Sequence, residues 1–356
     1  MKLIDMHCDT VSELLHRGEG QSLVHNHLCV DLERMQKAGT WIQFFACFVN
    51  AGKYERELQA GQELRKNADA APCADWESVK DCTKISSEAW ERAWKESMRL
   101  IERLRAEECD EIWVIKKLRE LEEPMEQERK HRNPVAALTT VEEGGVLNGR
   151  IERLDELYKK GVRLITLTWN YENCIGHPNS RDAEAMKKGL KPFGMEVIER
   201  MNELGMLIDV SHLSDGGFWD CIQRSKAPIV ASHSNARTLC GHPRNLSDEM
   251  LCVLAEKGGV AGLNFYPTFL KKGGQAGISD IARHAKYMID TAGEDVAAIG
   301  TDFDGFEADI RDGYISHVGQ MDLVWEACKK AGITERQLDK IRWQNAWRVM
   351  WDVLRP

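Results

Sequence analysis

The chain has 356 residues, of which 43% are hydrophobic, and its 48 basic and 57 acidic residues give a formal net charge of −9. This length and composition predict a folded protein with a sizeable core and argue against disorder. The acidic balance supplies no basic surface for nucleic acid or for an anionic membrane, so a small-molecule or peptide substrate is expected.

Targeting signals and cysteine usage point to one compartment. The N-terminus enters a strand-like run at once, without the segments of a signal peptide, and the sequence contains no apolar run long enough to span a bilayer. The 11 cysteines are odd in number and include no CxxC pair, which favours reduced thiols over a disulfide framework. These features predict a cytoplasmic protein.

Short apolar, β-branched runs recur along the chain with helical stretches between them. Eight such runs lie at 3–7, 41–49, 135–142, 163–169, 207–212, 228–234, 259–265 and 296–303. Near-continuous apolar runs are typical of parallel strands that are covered on both faces. Strands that alternate with helices in this way predict an α/β fold, a (β/α)8 TIM-type barrel that forms a single domain over residues 1–356.

One connection, from about residue 53 to about residue 131, is rich in charged residues and too long for a structureless loop. Spacings of three and four within it predict an amphipathic helix with an apolar stripe of Trp90, Trp94, Ser97, Met98, Ile101 and Leu104. We therefore predict an inserted helical segment. Its tryptophans either pack against the core, as such stripes usually do, or form a binding platform, and the segment either covers the barrel mouth or builds an interface.

The stretch LIDMHCDT places His7 and Asp9 two residues apart at the end of the first run. Side chains at i and i+2 of a strand project to the same face, so this strand can offer two ligands to one metal ion. Cys8 faces the opposite way. A polar pair beside a turn is the alternative interpretation of an isolated H-x-D motif.

Polar side chains also close four other runs. The residues at these five strand ends are His7 and Asp9, Glu142 and Glu143, His212, His233, and Asp302 with Asp304. Because the carboxyl ends of barrel strands converge on one face, these side chains are expected to form a metal site. Imidazole and carboxylate ligands without thiolate suit zinc or another divalent first-row ion. They outnumber the three protein ligands that one catalytic zinc needs, so two ions sharing an activated water are predicted.

Ten stretches of the chain, in order, resemble the membrane dipeptidase (renal dipeptidase) family of zinc peptidases, which have an amidohydrolase-like barrel. They are IDMHCDT, DLERMQKAGTWIQFF, TVEEGG, GVRLITLTW, LIDVSHLSD, ASHSNAR, HPRNLSDEML, GLNFY, IGTDFDG and QNAWRVM. The resemblance covers almost the whole chain. It implies a metal-dependent dipeptidase that hydrolyses dipeptides, L,D-dipeptides among them, through a hydroxide that bridges two zinc ions.

The resemblance also implies a ligand set. His7 and Asp9 would bind one metal ion, and His212 and His233 would bind the other. Glu142 would bridge the two ions. Glu143 competes for that role because the doubled acid leaves an ambiguity of one residue.

Three further roles follow from the same resemblance. Asp302 would move a proton between the attacking water and the departing amine, with Asp304 structural. Such a proton transfer fits a carboxylate beside a dication. Arg244 would hold the terminal carboxylate of the substrate through parallel hydrogen bonds. Tyr266 would contact the substrate, with simple packing as the alternative.

One position departs from the family pattern. Trp169 stands where the resemblance implies a substrate-side histidine, and an indole donates one hydrogen bond but carries no proton. His177, eight residues further on, either reaches the same space or is an exposed loop residue.

Other members of the family carry a secretion signal and a lipid anchor signal, neither of which is found here. The resemblance therefore implies a bacterial-type cytoplasmic member, with a homodimer left open. Two other interpretations also stay open. One is a hydrolase of another amide or lactam, since a fold does not determine a reaction. The other is a non-catalytic barrel that binds metal or peptide.

Overall fold

The computed structural model describes residues 2–63, 84–121, 134–306 and 314–354. Within these ranges, nine strands form one parallel sheet. The strands are β1 (Leu3–Cys8), β2 (Thr40–Phe48), β3 (Ile112–Ile115), β4 (Val135–Glu142), β5 (Leu164–Thr166), β6 (Leu207–Asp209), β7 (Val230–Ala231), β8 (Val260–Leu263) and β9 (Ala297–Ile299).

Strand β2 closes the sheet into a barrel, because it pairs with β1 on one side and with β4 on the other. The strands β5 to β9 complete the ring between β4 and β1. Every residue of β1 and of β4 is buried, as expected of strands that face side chains inside and helices outside. Eight of the strands therefore form the predicted (β/α)8 TIM-type barrel, and each predicted run overlaps one of them.

Strand β3 was not predicted. It pairs with the first half of β4, from Val135 to Leu138, whereas β5 pairs with the second half, from Thr140 to Glu142. The four residues IWVI lie in the charge-rich segment that the sequence analysis interpreted as helical, and four residues are too few for a clear periodic signal. Residues 64–83 and 122–133 of this region lie outside the described residues, so the single-domain organisation with a helical insertion stays a prediction.

The amphipathic stripe of this segment is confirmed. A helix spans Ser87–Arg105 and begins at Ser86, whose hydroxyl accepts a hydrogen bond from the backbone N–H of Ala89 at 3.2 Å. Trp90 is buried, and its indole lies so close to Gly145 that a Cβ added there would come within 2.4 Å of it. Trp94 is partly buried and lies against the guanidinium of Arg153. Both tryptophans therefore serve packing.

Helices surround the barrel. The α-helices are Thr10–Arg17, Leu32–Ala38, Ala51–Glu63, Ser87–Arg105, Glu152–Lys159, Ala183–Met186, Pro192–Leu204, Asp215–Arg224, Asp248–Glu256, Pro267–Leu270, Ile278–Ala292, Met321–Lys330, Glu335–Asp339 and Asn345–Val353, with a π-helical turn at Lys340–Gln344. Short 3₁₀ turns lie at Leu118–Leu121, Gly144–Leu147 and Val318–Gln320. In the part of the chain that the structure describes, no helix is both long and apolar enough to cross a membrane.

Two glycines allow β8 and β9 to approach β7. A Cβ added at Gly300 would lie 1.7 Å from the carbonyl oxygen of Ser232, and one at Gly262 would lie 1.9 Å from it. Since the clash is with backbone, Gly300→Ala is expected to lower the free energy of unfolding by about 3 kcal/mol, as overpacking does. Urea unfolding followed by circular dichroism measures this change.

Gly61→Ala is the matched control. Gly61 lies in the helix Ala51–Glu63, and an added Cβ meets nothing within 4 Å. This variant is expected to keep its stability or to gain up to about 1 kcal/mol from helix propensity. Equal unfolding midpoints for Gly300→Ala and the unmodified protein would contradict the proposed role of the close approach.

Candidate metal centre

The barrel brings the predicted ligands to one mouth. His7 lies at the end of β1, and Glu142 is the last residue of β4. His212, His233 and Asp302 each follow a strand, namely β6, β7 and β9, within three residues. All of these positions are at the carboxyl ends of parallel strands, which is where barrel enzymes place their chemistry.

Backbone geometry marks the same mouth. Five non-glycine residues of the described chain have positive φ, and four of them lie here: Glu143 (95°), His212 (68°), Asp302 (63°) and Asp304 (66°). The left-handed region is uncommon for residues with a Cβ and gathers at functional sites. These turns redirect the chain directly after the strand ends, and His212 and Asp302 thereby face the other predicted ligands.

The carboxylate of Glu142 lies between two groups of ligands. Its Oε2 atom is 3.4 Å from Nε2 of His7, which in turn is 3.3 Å from Oδ2 of Asp9. Its Oε1 atom is 3.1 Å from Nε2 of His212 and 3.6 Å from Nε2 of His233. Each group has three donor atoms within 4.8 Å of one another, and Glu142 belongs to both groups.

Hydrogen bonds identify which ring nitrogen of His212 and of His233 is free to bind a metal ion. The Nδ1 atom of His212 lies 3.2 Å from Oδ1 of Asn170, an oxygen that can only accept, so Nδ1 carries the proton. Ser232 donates to Asp209 at 2.6 Å and accepts from Nδ1 of His233 at 2.7 Å. In the neutral rings, both Nε2 atoms are therefore unprotonated.

This arrangement fits a bound cation. The two Nε2 lone pairs of His212 and His233 face each other at 3.1 Å, and both also face an oxygen of Glu142. Within the described residues, Nε2 of His7 and Oδ1 of Asp9 are buried without a hydrogen bond. Buried polar atoms of this kind are costly unless they are paired or coordinate a metal. The donor set, nitrogen and oxygen without thiolate, fits zinc and other divalent first-row ions.

The pKa values of His212 and His233 agree with a role as metal ligands. Burial lowers the pKa of His212 to about 4 and that of His233 well below its ordinary value, so both rings are neutral at neutral pH. Burial works against protonation of His7 as well, but the charges of Glu142 and Asp9 outweigh it and raise the pKa of this ring well above its ordinary value. A proton and a metal ion thus compete for the space between these three residues.

The carboxylates show the same competition. Burial raises the pKa of Asp9 to about 8 and that of Asp302 to about 6, and the negative charge of Glu142 adds to the effect in both cases. For Glu142, burial is outweighed by the charge of His7 and by the close contacts of its carboxylate with His212 and His7, and its pKa lies below the usual range. A bound dication would favour the ionised form of all three carboxylates.

Asp302 and Asp304 have different surroundings. Oδ2 of Asp302 accepts a hydrogen bond from the side-chain amide of Asn264 at 2.8 Å, and Oδ1 lies 3.8 Å from Nε2 of His7. The carboxylate of Asp304 accepts from the hydroxyl of Thr10 at 2.6 Å and from the backbone N–H of Cys29 at 2.8 Å. Asp302 thus faces the ligand cluster, whereas Asp304 joins the first helix to the following loop.

Glu143 points away from the two ligand groups. Its carboxylate accepts hydrogen bonds from the N–H of Gly145 at 2.8 Å, the side-chain amide of Asn173 at 2.6 Å and the N–H of Trp169 at 3.2 Å. Burial raises its pKa to about 7. Of the two neighbouring acids, Glu142 is therefore the one whose oxygens face the histidines.

Arg244 is buried beside the cluster. Its Nη1 atom donates to Oγ of Ser234 at 3.3 Å and its Nη2 atom donates to the carbonyl oxygen of His233 at 3.2 Å. Burial lowers its pKa to about 10. Among the described residues, Nε of Arg244 has no hydrogen-bond partner. A buried arginine of this kind can receive an anionic group.

Tyr266 and His177 do not belong to the groups of possible metal ligands. The ring of Tyr266 packs on Phe269 and Phe306, with centroids 4.8 and 5.1 Å apart. Nδ1 of His177 lies 3.3 Å from Oε2 of Glu172 on the same loop, and His177 is not among the grouped ligands. Substrate binding by these two residues stays a prediction.

Sequence reasoning missed the residues that orient the site. Asp209 and Ser232 stand behind His233, Asn170 stands behind His212, and Asn264 holds Asp302. Asp209 carried a signal, because it is an acid within an apolar strand. Ser232, Asn170 and Asn264 lie within motifs in which the sequence analysis assigned roles to neighbouring residues only.

The chain matches known proteins in sequence. Residues 1–355 match the sequence profile of the membrane dipeptidase family, peptidase family M19. The chain is 35% identical over 237 residues to a Klebsiella pneumoniae protein described as an uncharacterized protein in the pqqA 5′ region, covering 64% of this chain and 85% of that protein.

Two crystal structures show the same fold at 24% identity, and each match covers 99% of both chains. One is dipeptidase AC, a metallopeptidase of family M19, with a TM-score of 0.80. The other is a metallopeptidase from Rhodobacter sphaeroides liganded with a phosphinate mimic of the dipeptide L-Ala-D-Ala, with a TM-score of 0.78. Because the family profile matches nearly the whole length, the chain belongs to the membrane dipeptidase family, the metallopeptidases of family M19.

Proposed function

We propose that this protein hydrolyses dipeptides with the help of two divalent metal ions, zinc in the first place. His7 and Asp9 would hold one ion, His212 and His233 the other, and Glu142 both. The observation that carries this proposal is the position of Glu142, which directs one carboxylate oxygen to each ligand group. When bound, the ions would acidify a water and stabilise the negative charge that develops on the peptide carbonyl.

Asp302 is the residue we assign to proton transfer. Peptide cleavage requires a proton on the departing amine, and the water that attacks the carbonyl must lose one. Asn264 holds Oδ2 of Asp302 at 2.8 Å, which keeps Oδ1 on the side of His7 and the ligand cluster. One oriented carboxylate at this position can accept the first proton and deliver it to the amine.

Arg244 would restrict the substrate to short peptides. The guanidinium is buried within the mouth, and it contacts the backbone of the ligand His233. Binding of a terminal carboxylate by its fork of N–H groups would place the preceding peptide bond near the metal ions. A longer peptide would have to bury an internal, uncharged group at the same position and would leave the arginine unpaired.

The substrates to test include L,D-dipeptides. The Rhodobacter sphaeroides metallopeptidase of the same fold binds a mimic of L-Ala-D-Ala. Because Arg244 in this mouth would bind the terminal carboxylate, we include a D-configured C-terminal residue in the proposed substrate class.

The deciding experiment is amino-acid release from a panel of L,L- and L,D-dipeptides by purified protein, stripped of metal and then restored with zinc or manganese. Zinc-dependent release with two equivalents of bound metal is the expected result. Two bound ions without release from any dipeptide would overturn the dipeptidase assignment. Opening of cyclic amides or lactams by that preparation would instead identify another amide hydrolase.

A further inference from the structure

Three aromatic side chains form a wall at one side of the mouth. The ring of Trp169 lies 4.8 Å from that of Phe48 and 5.6 Å from that of Tyr171, measured between centroids. The same indole lies 6.3 Å from the ring of His212. Phe48 and Trp169 are only partly buried, whereas Tyr171 is buried behind them. We call Phe48, Trp169 and Tyr171 the aromatic wall.

The aromatic wall is held firmly. The backbone N–H of Trp169 donates to Glu143 at 3.2 Å, and Asn173 ties the same carboxylate to the loop that follows. The hydroxyl of Tyr171 lies 3.2 Å from Oδ1 of Asn50 and packs so tightly on the backbone that a Cβ at Gly52 would come within 2.2 Å of it. Fixed aromatic rings lose little conformational entropy when a ligand packs on them.

The order of strands places this wall opposite Arg244. Around the barrel, β2, β4 and β5 are consecutive, and so are β7, β8 and β9, with β1 and β6 between the two sets. Phe48 ends β2 and Trp169 follows β5, whereas Arg244 and Tyr266 follow β7 and β8. The ligand cluster lies between the two sides, since Glu142 contacts both His7 and His212.

We propose that the aromatic wall binds the side chain of the substrate's N-terminal residue and selects dipeptides in which this side chain is large and apolar. This inference rests on the proposed function. A dipeptide whose carboxylate is held by Arg244 and whose peptide bond lies at the ligand cluster must extend its N-terminal residue toward the opposite side of the mouth. There an apolar side chain would leave water and pack on Phe48 and Trp169, which favours binding in proportion to the area buried.

The wall also touches His212, so a purely structural role must be separated from substrate selection. Loss of support for His212 would reduce the turnover of every dipeptide by the same factor. Loss of a binding surface would reduce kcat/KM only for substrates whose side chain reaches it, mainly through KM. The ratio of kcat/KM for Phe-Ala to that for Ala-Ala distinguishes these cases, because the two substrates share the carboxyl-terminal residue.

The experiment compares the zinc-loaded unmodified protein with Trp169→Ala and Phe48→Leu. We expect the unmodified protein to prefer Phe-Ala by at least about tenfold, and Trp169→Ala to remove most of that preference while zinc content stays the same. Phe48→Leu is expected to shift the ratio in the same direction by a smaller factor, and it provides the test if Trp169→Ala fails to fold. Trp113→Ala is the matched control. Trp113 lies on β3 and pairs with Ala136 near the start of β4, whereas the metal centre lies at the end of β4.

If Trp169→Ala reduces kcat/KM equally for both substrates, the ratio of kcat/KM for Phe-Ala to that for Ala-Ala stays unchanged. That result would overturn the inference. Absence of cleavage of every dipeptide by the unmodified protein would instead overturn the proposed function. In that event, calorimetric titration with phosphinate mimics of Phe-Ala and Ala-Ala still tests the wall. Equal affinities of the two mimics would exclude it as a side-chain site, and tighter binding of the Phe-Ala mimic that is lost in Trp169→Ala would support it.

Discussion

Glu142→Gln is expected to weaken the binding of both metal ions and to abolish dipeptide hydrolysis. Glutamine has nearly the same shape, but its amide nitrogen cannot ligate a metal, and the carboxylate of Glu142 faces His7 with one oxygen and His212 with the other. Removal of a partner one step behind a metal ligand already costs about 10–100-fold in affinity. Loss of a ligand that both groups share is therefore expected to cost at least about 100-fold at each.

Zinc titration against a competing chelator measures both affinities. His212→Ala serves as a comparison, because it removes a ligand from one group only and is expected to leave one ion bound. Two ions bound with unchanged affinity in Glu142→Gln would show that Glu142 does not join the two groups.

The neighbouring acid supplies a matched control for this experiment. Glu143→Gln changes the same chemical group one residue away, where the carboxylate accepts hydrogen bonds from Gly145, Asn173 and Trp169. An amide there would face one of these donors with another donor, so a loss of about 1–3 kcal/mol in the free energy of unfolding is expected. The two metal affinities should stay the same. Metal loss in Glu143→Gln alone would reverse the assignment of the two acids.

The barrel could be predicted because its strands are buried on both faces. In the run 135–142 the only charged residue is the last one, Glu142, and in β4 all eight residues are buried. A strand that is buried on both faces has a nearly continuous apolar sequence, and this pattern can be recognised without knowing which strands pair. Strand β3 has no such signal, since its four residues are flanked by charges and cover only the first half of β4.

The ligand cluster could be predicted for a related reason. Parallel strands in a barrel end on the same face. Polar residues at the ends of five strands therefore lie close together there, independently of the conformation of the loops. The choice between Glu142 and Glu143 could not be derived in the same way. It depends on where β4 ends, and Glu143 leaves the strand with a φ of 95°, which turns its side chain toward the loop of Trp169.

Orienting residues were the hardest to predict from sequence. Asn264 acts through a hydrogen bond to Asp302, 38 residues further along the chain. Ser232 connects the adjacent His233 to Asp209, which lies 23 residues before Ser232 on another strand. No periodicity or spacing along the chain reports such a contact, because it depends on the register of neighbouring strands and on side-chain rotamers. Asp209 is the exception, since an acid within an apolar strand needs buried partners and finds them in Thr166, Ser211 and Ser232.

Asp302→Asn is expected to lower kcat by about 10²–10⁴-fold, the usual contribution of a general acid or base, with little change in KM. The substitution should preserve the fold for two reasons. Asparagine tolerates the left-handed backbone at this position, where φ is 63°, and its side-chain oxygen can still accept the hydrogen bond from Asn264. Steady-state kinetics with zinc-loaded protein measures the effect.

Metal content must be measured on the same preparation, since Oδ1 of Asp302 also belongs to a group with His7 and His233 that could hold an ion. Retention of both ions with lost turnover supports proton transfer, whereas loss of an ion would make Asp302 a ligand. Asp304→Asn is the matched control, with the same residue type and a similar φ of 66°. Its carboxylate binds Thr10 and Cys29, so this variant is expected to lose about 1–3 kcal/mol of stability and to keep its turnover. A comparable loss of kcat in both variants would show that the effect arises from the shared loop and not from the carboxylate of Asp302.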